Sequence, residues 1–283
     1  MTTSMKRIIY VYSGTGTALA AATRVAAALG DCQVKSITNE LEKAGGEKIL
    51  TETDTVGLIF PCYYGGVPAI VQNFIDHLDL KGVEYVFAVI VSGGNISKGL
   101  RPLQNQLELK GSRLDYAAAI TVSTNYYVGW YYSAVSAKGA KLQQGLAHLD
   151  EQTLQIAKDV SVKKSGLKDP RSLLSKLIGA LSSKKPAPDT RRLDREYSAG
   201  ADCTGCGTCS RVCQAHNITI VNGRPEFLHN CQQCMACFQY CPNQALCING
   251  KPLKKQQYHH PDYPDYKMIR FLQGSDNTEP MRG

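Results

Sequence analysis

The chain has 283 residues, is 43% hydrophobic and 20% charged, and carries a formal net charge of +8. That length admits two domains with ordinary cores, and no uninterrupted apolar run approaches the ~20 residues of a membrane-spanning helix. Most of the basic excess lies in residues 163–195, where ten Lys or Arg face three Asp; no aromatic-interleaved basic motif accompanies it, so nucleic-acid binding is not expected.

The first 160 residues alternate between apolar strands and helical stretches. Lys6 to Tyr12 reads as a strand, Gly16 to Leu29 as an Ala-rich helix and Gln33 to Ile37 as a second strand. Thr55 to Phe60 is a third strand, followed by a helix over Pro68 to Leu78. Val83 to Val91 is a fourth, with a helix from about Lys98 to Leu109. Tyr116 to Val122 is the fifth, and a long helix covers Lys138 to Ser161. Buried β-branched runs alternating with helices predict a doubly wound parallel sheet. Ligands in such sheets sit beyond the carboxyl ends of the strands, near the topological switch point.

Three loops fall at those ends. Ser13-Gly14-Thr15-Gly16-Thr17 opens the first helix with small hydroxylated residues and glycines, suited to a phosphate dianion. It is not a Walker loop, lacking Gly-Lys-Ser/Thr, nor a dinucleotide fingerprint, lacking the third glycine. After strand three, Pro61-Cys62-Tyr63-Tyr64-Gly65-Gly66-Val67-Pro68 pairs aromatics with glycines that allow close backbone approach to a planar ring. After strand four comes Ser92-Gly93-Gly94-Asn95. The aromatic run Asn125 to Tyr132 follows strand five. Within it Tyr127 and Trp130 are candidates for a wall against a bound planar ring or a substrate, and the run could equally be a docking surface for a second domain.

The linker carries Leu173, Leu174, Leu177, Ile178 and Leu181 at helical spacing among basic residues. It packs on the first domain in one reading and receives an acidic soluble partner in the other; membrane contact is disfavoured. Cys62 reads as a buried strand-end thiol rather than a redox-active one, and Cys32 as an ordinary strand-proximal thiol. The pair His259-His260 reads as part of a packed tail rather than a metal site. Met1 to Arg7 is polar and leads into a strand, so no targeting segment is expected. The expected setting is cytoplasmic, reducing and anoxic.

The strongest signal follows the linker. Cys203-x2-Cys206-x2-Cys209-x3-Cys213 recurs 28 residues later as Cys231-x2-Cys234-x2-Cys237-x3-Cys241-Pro242. This is the spacing of a module holding two [4Fe–4S] clusters, where the fourth cysteine of each run ligates the other cluster. One set is then Cys203, Cys206, Cys209 and Cys241; the other is Cys231, Cys234, Cys237 and Cys213. Zinc sites usually come as two separated Cys-x2-Cys units, and a disulfide framework suits a secreted chain. The duplication continues into Ile218 to Pro225 and Leu246 to Pro252, each a short strand ending at Asn-Gly. Cys247 aligns with Thr219 and is not expected to be a ligand. Gln214 replaces the Pro242 of the second copy, read here as a weakened turn preference.

Taken together, residues 13–17, 61–68 and 92–95 resemble the phosphate loop and two ring-flanking loops of flavodoxins. The chain resembles the flavodoxin–ferredoxin fusion proteins of anaerobic microorganisms over about the first 125 residues and 200–250. The resemblance implies FMN with its phosphate on Ser13, Gly14, Thr15, Gly16 and Thr17. It also implies an isoalloxazine flanked by Pro61, Cys62, Tyr63, Tyr64, Gly65 and Gly66 on one side and Ser92, Gly93 and Gly94 on the other. Thr17 stands where these proteins often carry Asn. The expected fold is a flavodoxin-like, doubly wound, five-stranded parallel sheet (1–162) and a small α+β ferredoxin-like domain with two [4Fe–4S] clusters (200–252). A basic linker (163–199) joins them, and a packed tail (253–283) follows. Two functions are expected: electron transfer between the clusters, FMN and a soluble redox partner such as a ferredoxin, or reduction of a small organic acceptor at the flavin. No nicotinamide fingerprint is visible.

Overall fold

The computed structural model describes residues 7–92, 100–122, 139–167, 191–253 and 257–274. Its main sheet is parallel, with strands β1 (Arg7–Val11), β2 (Gln33–Ser36), β3 (Thr55–Pro61), β4 (Tyr85–Ser92), β5 (Tyr116–Thr121) and β6 (Gly166–Leu167). The order β2-β1-β3-β4-β5-β6 reverses at β1 and β3, as in the flavodoxin-like doubly wound fold. Five strands carry this sheet, as the alternating pattern predicts. The sixth is a two-residue addition beside β5, pairing Tyr116 with Gly166 and Ala117 with Leu167. It comes from the stretch read as the start of the linker.

Helices α1 (Thr17–Leu29) and α5 (Gly139–Ser161) cover one face; α2 (Ile37–Ala44), α3 (Ala69–His77) and α4 (Leu100–Leu109) belong to the other. Burial on both faces explains why β3 and β4 are continuous apolar runs. Along β1 the side chains alternate. Ile9 and Val11 join the core of α1 and α5, while Ile8, Tyr10 and Tyr12 join the opposite core. The ring of Phe87 lies so close over Gly57 that a Cβ there would come within 2.4 Å of it.

The second unit is small. Helices α6 (Thr208–Arg211) and α7 (Ala236–Gln239) each follow the first two cysteines of a run and carry the third, Cys209 or Cys237. The hairpin β8 (Ile218–Val221)–β9 (Arg224–Phe227) and the pair β10 (Leu246–Ile248)–β11 (Lys251–Pro252) complete the two halves. Both hairpins turn at Asn-Gly with positive φ: 49° and 72° at Asn222 and Gly223, 51° and 69° at Asn249 and Gly250. That is the backbone such turns require. Strand β7 (Tyr197–Ala199) adds antiparallel to β10. Tyr197, Met235, Phe238, Leu246 and Ile248 form its core.

The two units share apolar packing. Val212, Ala236 and Tyr240 of the small unit, with Met268 and Phe271 of helix α8 (Asp265–Leu272), belong to the α1/α5 side of the main core. Fully burying a side chain of this size contributes roughly 1.5–3 kcal/mol. Among the described residues no helix is long and apolar enough to cross a membrane. The amphipathic linker stripe at 173–181 and the aromatic run 125–132 lie outside the described residues.

Candidate functional site

The chain places its chemistry at the carboxyl edge of β1 and β3. Strand β1 ends at Val11, and Tyr12 and the loop 13–16 lead into α1, whose N-cap Gly16 has φ 84°. No side chain caps this helix and its first turn holds no acidic residue. The first N–H groups of α1 are therefore available to an anion. Ser13, Thr15 and Thr17 bring three buried hydroxyls to the same turn. The donor set fits a phosphate monoester such as that of FMN.

Beyond β3, Tyr63 and Gly66 exchange backbone hydrogen bonds of 3.1 and 2.8 Å, with Tyr64 (φ 50°) and Gly65 (φ 77°) at the corners. Pro61 ends β3, and the Cys62 N–H bonds the Val91 carbonyl at 2.9 Å. Burial pushes the Cys62 thiol up to about 12, which suits a packed thiol rather than a reactive one. Tyr63 turns its hydroxyl onto the Gly14 N–H. Ser92 closes β4 and is buried; Gly93 and Gly94, and the candidates Tyr127 and Trp130, lie outside the described residues.

The cysteines gather in two sets. Cys203, Cys206, Cys209 and Cys241 line one cavity, together with Thr204, Thr208, Ile220 and Pro242. Cys213, Cys231, Cys234 and Cys237 line the other, with Ile218, Phe227, Met235 and Tyr12. Each set takes three thiols from one run and the fourth from the other. Cys247 is buried and lines neither cavity. Among the described residues no three His, Cys, Asp or Glu side chains converge as a single metal ion requires; the thiols surround a space.

Backbone donors already point at these sulfurs. Asn217 N–H to Cys213 Sγ and Ala245 N–H to Cys241 Sγ are both 3.3 Å, and the two pairs are the same contact in the two halves. The Gln233 N–H and side-chain amide reach Cys231 Sγ at 3.3 and 3.4 Å. Such N–H···S bonds favour thiolates and tune a bound cluster. Without a cluster, burial holds Cys231 up to about 12 and Cys234 to about 11, so loading iron must displace protons. Cys206 is the exposed member, and the Thr208 N–H lowers its thiol.

The second set abuts the loop between β1 and α1. A Cβ built on Gly14 would lie 2.7 Å from the Cys234 carbonyl oxygen and 2.8 Å from the Tyr63 hydroxyl. The Gln214 amide donates to the Ser13 carbonyl, and Gln232 Oε1 accepts from the Ile70 N–H at 3.2 Å. Gln214 is therefore more than a weakened turn. It is a contact between units that Pro242, its counterpart, has no side chain to make.

The C-terminal segment completes the enclosure. The His260 N–H bonds the Thr15 carbonyl at 2.8 Å, and the Tyr258 hydroxyl lies 3.3 Å from Thr17 Oγ1. Gly16 faces Tyr263 and His260, whose Cβ atoms would be 2.9 and 3.2 Å from an added Cβ. His259 stacks on Tyr240 at 4.9 Å, and Arg24 of α1 bonds Asp262 at 2.9 Å. Burial and the Arg24 charge lower His260 to about 4 despite Asp262, leaving it neutral at pH 7. Sequence reasoning missed Tyr12, Gln214, Gln232 and Tyr258 as site residues; the Gln-for-Pro departure between the repeats was the one usable signal.

Residues 202–246 match the family described as the 4Fe-4S dicluster domain. No curated protein matches the chain. Among solved structures, a putative flavoprotein from Bacteroides uniformis is 19% identical, covering 54% of this chain and 97% of its own (TM-score 0.36). An azoreductase from Bacillus anthracis is 12% identical, covering 55% and 100% (TM-score 0.36). The rubredoxin oxygen:oxidoreductase from Desulfovibrio gigas is 15% identical, covering 56% and 36% (TM-score 0.34).

Proposed function

We propose that the chain is an electron-transfer iron–sulfur flavoprotein, passing electrons between two [4Fe–4S] clusters and FMN, and on to a soluble redox partner or small acceptor. The observation that carries this reading is the crossed pair of four-cysteine shells, one of which is seated on an uncapped, hydroxyl-lined loop at a sheet switch point. When bound, the clusters supply single-electron chemistry and FMN exchanges one or two electrons.

The chain's own residues do the rest. Cys203, Cys206, Cys209 and Cys241 hold one cluster, and Cys213, Cys231, Cys234 and Cys237 hold the other. Ser13, Thr15, Thr17 and the α1 N-terminus hold the flavin phosphate. Gln214, Gln232, Tyr258 and His260 keep the two units in register. Cys206, exposed on the far unit, marks the end that meets a partner protein; soluble ferredoxins are the proposed class.

The test is anaerobic purification followed by metal, sulfide and flavin analysis and an EPR-monitored redox titration. Roughly eight irons and one FMN per chain are expected. Zinc in place of iron, or the absence of flavin, would overturn the assignment.

A further inference from the structure

Tyr12 belongs to the flavodoxin-like sheet by sequence, following β1 directly. Its ring is fully buried, and it forms part of the wall of the cavity lined by Cys213, Cys231, Cys234 and Cys237. Its hydroxyl makes no hydrogen bond of acceptable geometry among the described residues. Its polar neighbours are the Cys234 thiol and the Tyr63 hydroxyl, and the Tyr63 ring stands edge-on at 6.2 Å. A phenol O–H buried without a partner destabilises the fold, so it calls for an explanation.

The cavity offers little else to accept from it. Ala215, Ile218, Phe227, Met235 and Ala236 are apolar there. Asn217 uses its amide on Asp194 and its oxygen on the Asn230 N–H, and the Tyr197 hydroxyl is spent on Gln233 at 2.8 Å. Gln232 Oε1 is taken by the Ile70 N–H, and the Tyr63 hydroxyl already accepts from the Gly14 N–H. Beside that phenol the acceptors are sulfurs: the Cys234 thiolate and the sulfides of a cluster seated among the four cysteines. The other cysteine cavity is lined only by residues of the small unit.

We infer that the Tyr12 hydroxyl donates a hydrogen bond to a sulfur of the cluster held by Cys213, Cys231, Cys234 and Cys237, and so raises the reduction potential of that cluster alone. The inference rests on the two-cluster reading above. A hydrogen bond to sulfur draws negative charge off the cluster and favours its reduced form. Tyr12 acts as a positioning and tuning residue, supplied by one unit to the metal site of the other. It also distinguishes the cluster beside the phosphate loop from its twin.

The experiment is Tyr12→Phe in the full-length holoprotein, purified anaerobically, with iron and FMN counted before an EPR-monitored titration. One cluster potential should shift downward while the other stays, at unchanged iron and flavin content. Two unchanged potentials in a fully loaded variant would overturn the inference. If the variant loses iron, 3-fluorotyrosine placed at position 12 alone, a stronger hydrogen-bond donor, provides the second measurement. An upward shift of one potential supports the role, and no shift in either sinks it. Wild type without iron would instead show that the two-cluster reading itself had failed.

Discussion

Gln233 occupies the place of Gly205, 28 residues earlier, and adopts the same left-handed backbone, with φ of 55° against 70°. Met235 repeats the relationship with Gly207, at 61° against 75°. In the second loop this conformation aims the Gln233 N–H at Cys231 Sγ, 3.3 Å away. The first half obtains it from glycine; the second holds ordinary residues in it, at a cost of about 1–2 kcal/mol each. Gln233 offsets that cost through Tyr197 and Cys231. Both Gln233→Gly and Gln233→Ala should destabilise, because the buried Tyr197 hydroxyl loses its acceptor. Alanine should be worse by about 1 kcal/mol, since it keeps the backbone strain. Anaerobic urea unfolding, followed by cluster absorbance, would rank the two variants.

Gly14→Ala should separate the units. Its new methyl would meet the Cys234 backbone and the Tyr63 hydroxyl, and a backbone atom cannot step aside. The small unit should still take up iron, while the exchange between clusters and flavin slows by at least tenfold in stopped-flow reduction. An unchanged rate would mean that this contact does not set the docking.

Gly57→Ala tests packing alone. The added Cβ would overlap the Phe87 ring, and overpacking of this kind costs about 1–3 kcal/mol. A lower urea midpoint is expected with unaltered cluster spectra. Combining it with Phe87→Leu should recover part of the loss.

Acid should release the C-terminal segment through His260. Its folded value, about 4, lies below the model-peptide 6.5, because burial and Arg24 disfavour the cation more than Asp262 and Asp150 favour it. The unfolded or detached form therefore binds a proton more readily. The stability contributed by neutral His260 is present above pH 6.5 and is lost as pH falls toward 4. Limited proteolysis of the tail should accelerate across that interval in wild type and vary much less in His260→Gln.

Solvent oxidants should attack the two clusters unequally. Cys206 is exposed, whereas Cys234 is held between the units. Exposure to air should release iron in two phases of similar size. Cys206→Ser should remove the fast phase; a single phase in wild type would contradict the asymmetry.

Much of this was legible in the residues. The strands β1, β3, β4 and β5 are apolar runs long enough to stand out, and the two Asn-Gly turns fall where the repeats place them. Helix α2 was missed because it starts directly after β2 and only Ile37 and Thr38 are buried in it. Helix α8 was missed although Met268 and Phe271 sit at helical spacing after Pro264. The cysteine spacing announced both shells. The departure from Pro242 marked Gln214 but not its partner, and the contacts of Tyr12 and His260 were not visible, because each depends on how separately folded segments meet.

The enclosure of Gly14 and Gly16 implies an order of maturation. Cys234, His260 and Tyr263 rest on the loop that would grip the flavin phosphate. An FMN bound there, as proposed, would have to enter before these segments settle and could leave only when they lift. Iron loss that loosens the Cys231–Cys237 loop would unlatch that roof, so the occupancies of two cofactors that share no ligand become linked.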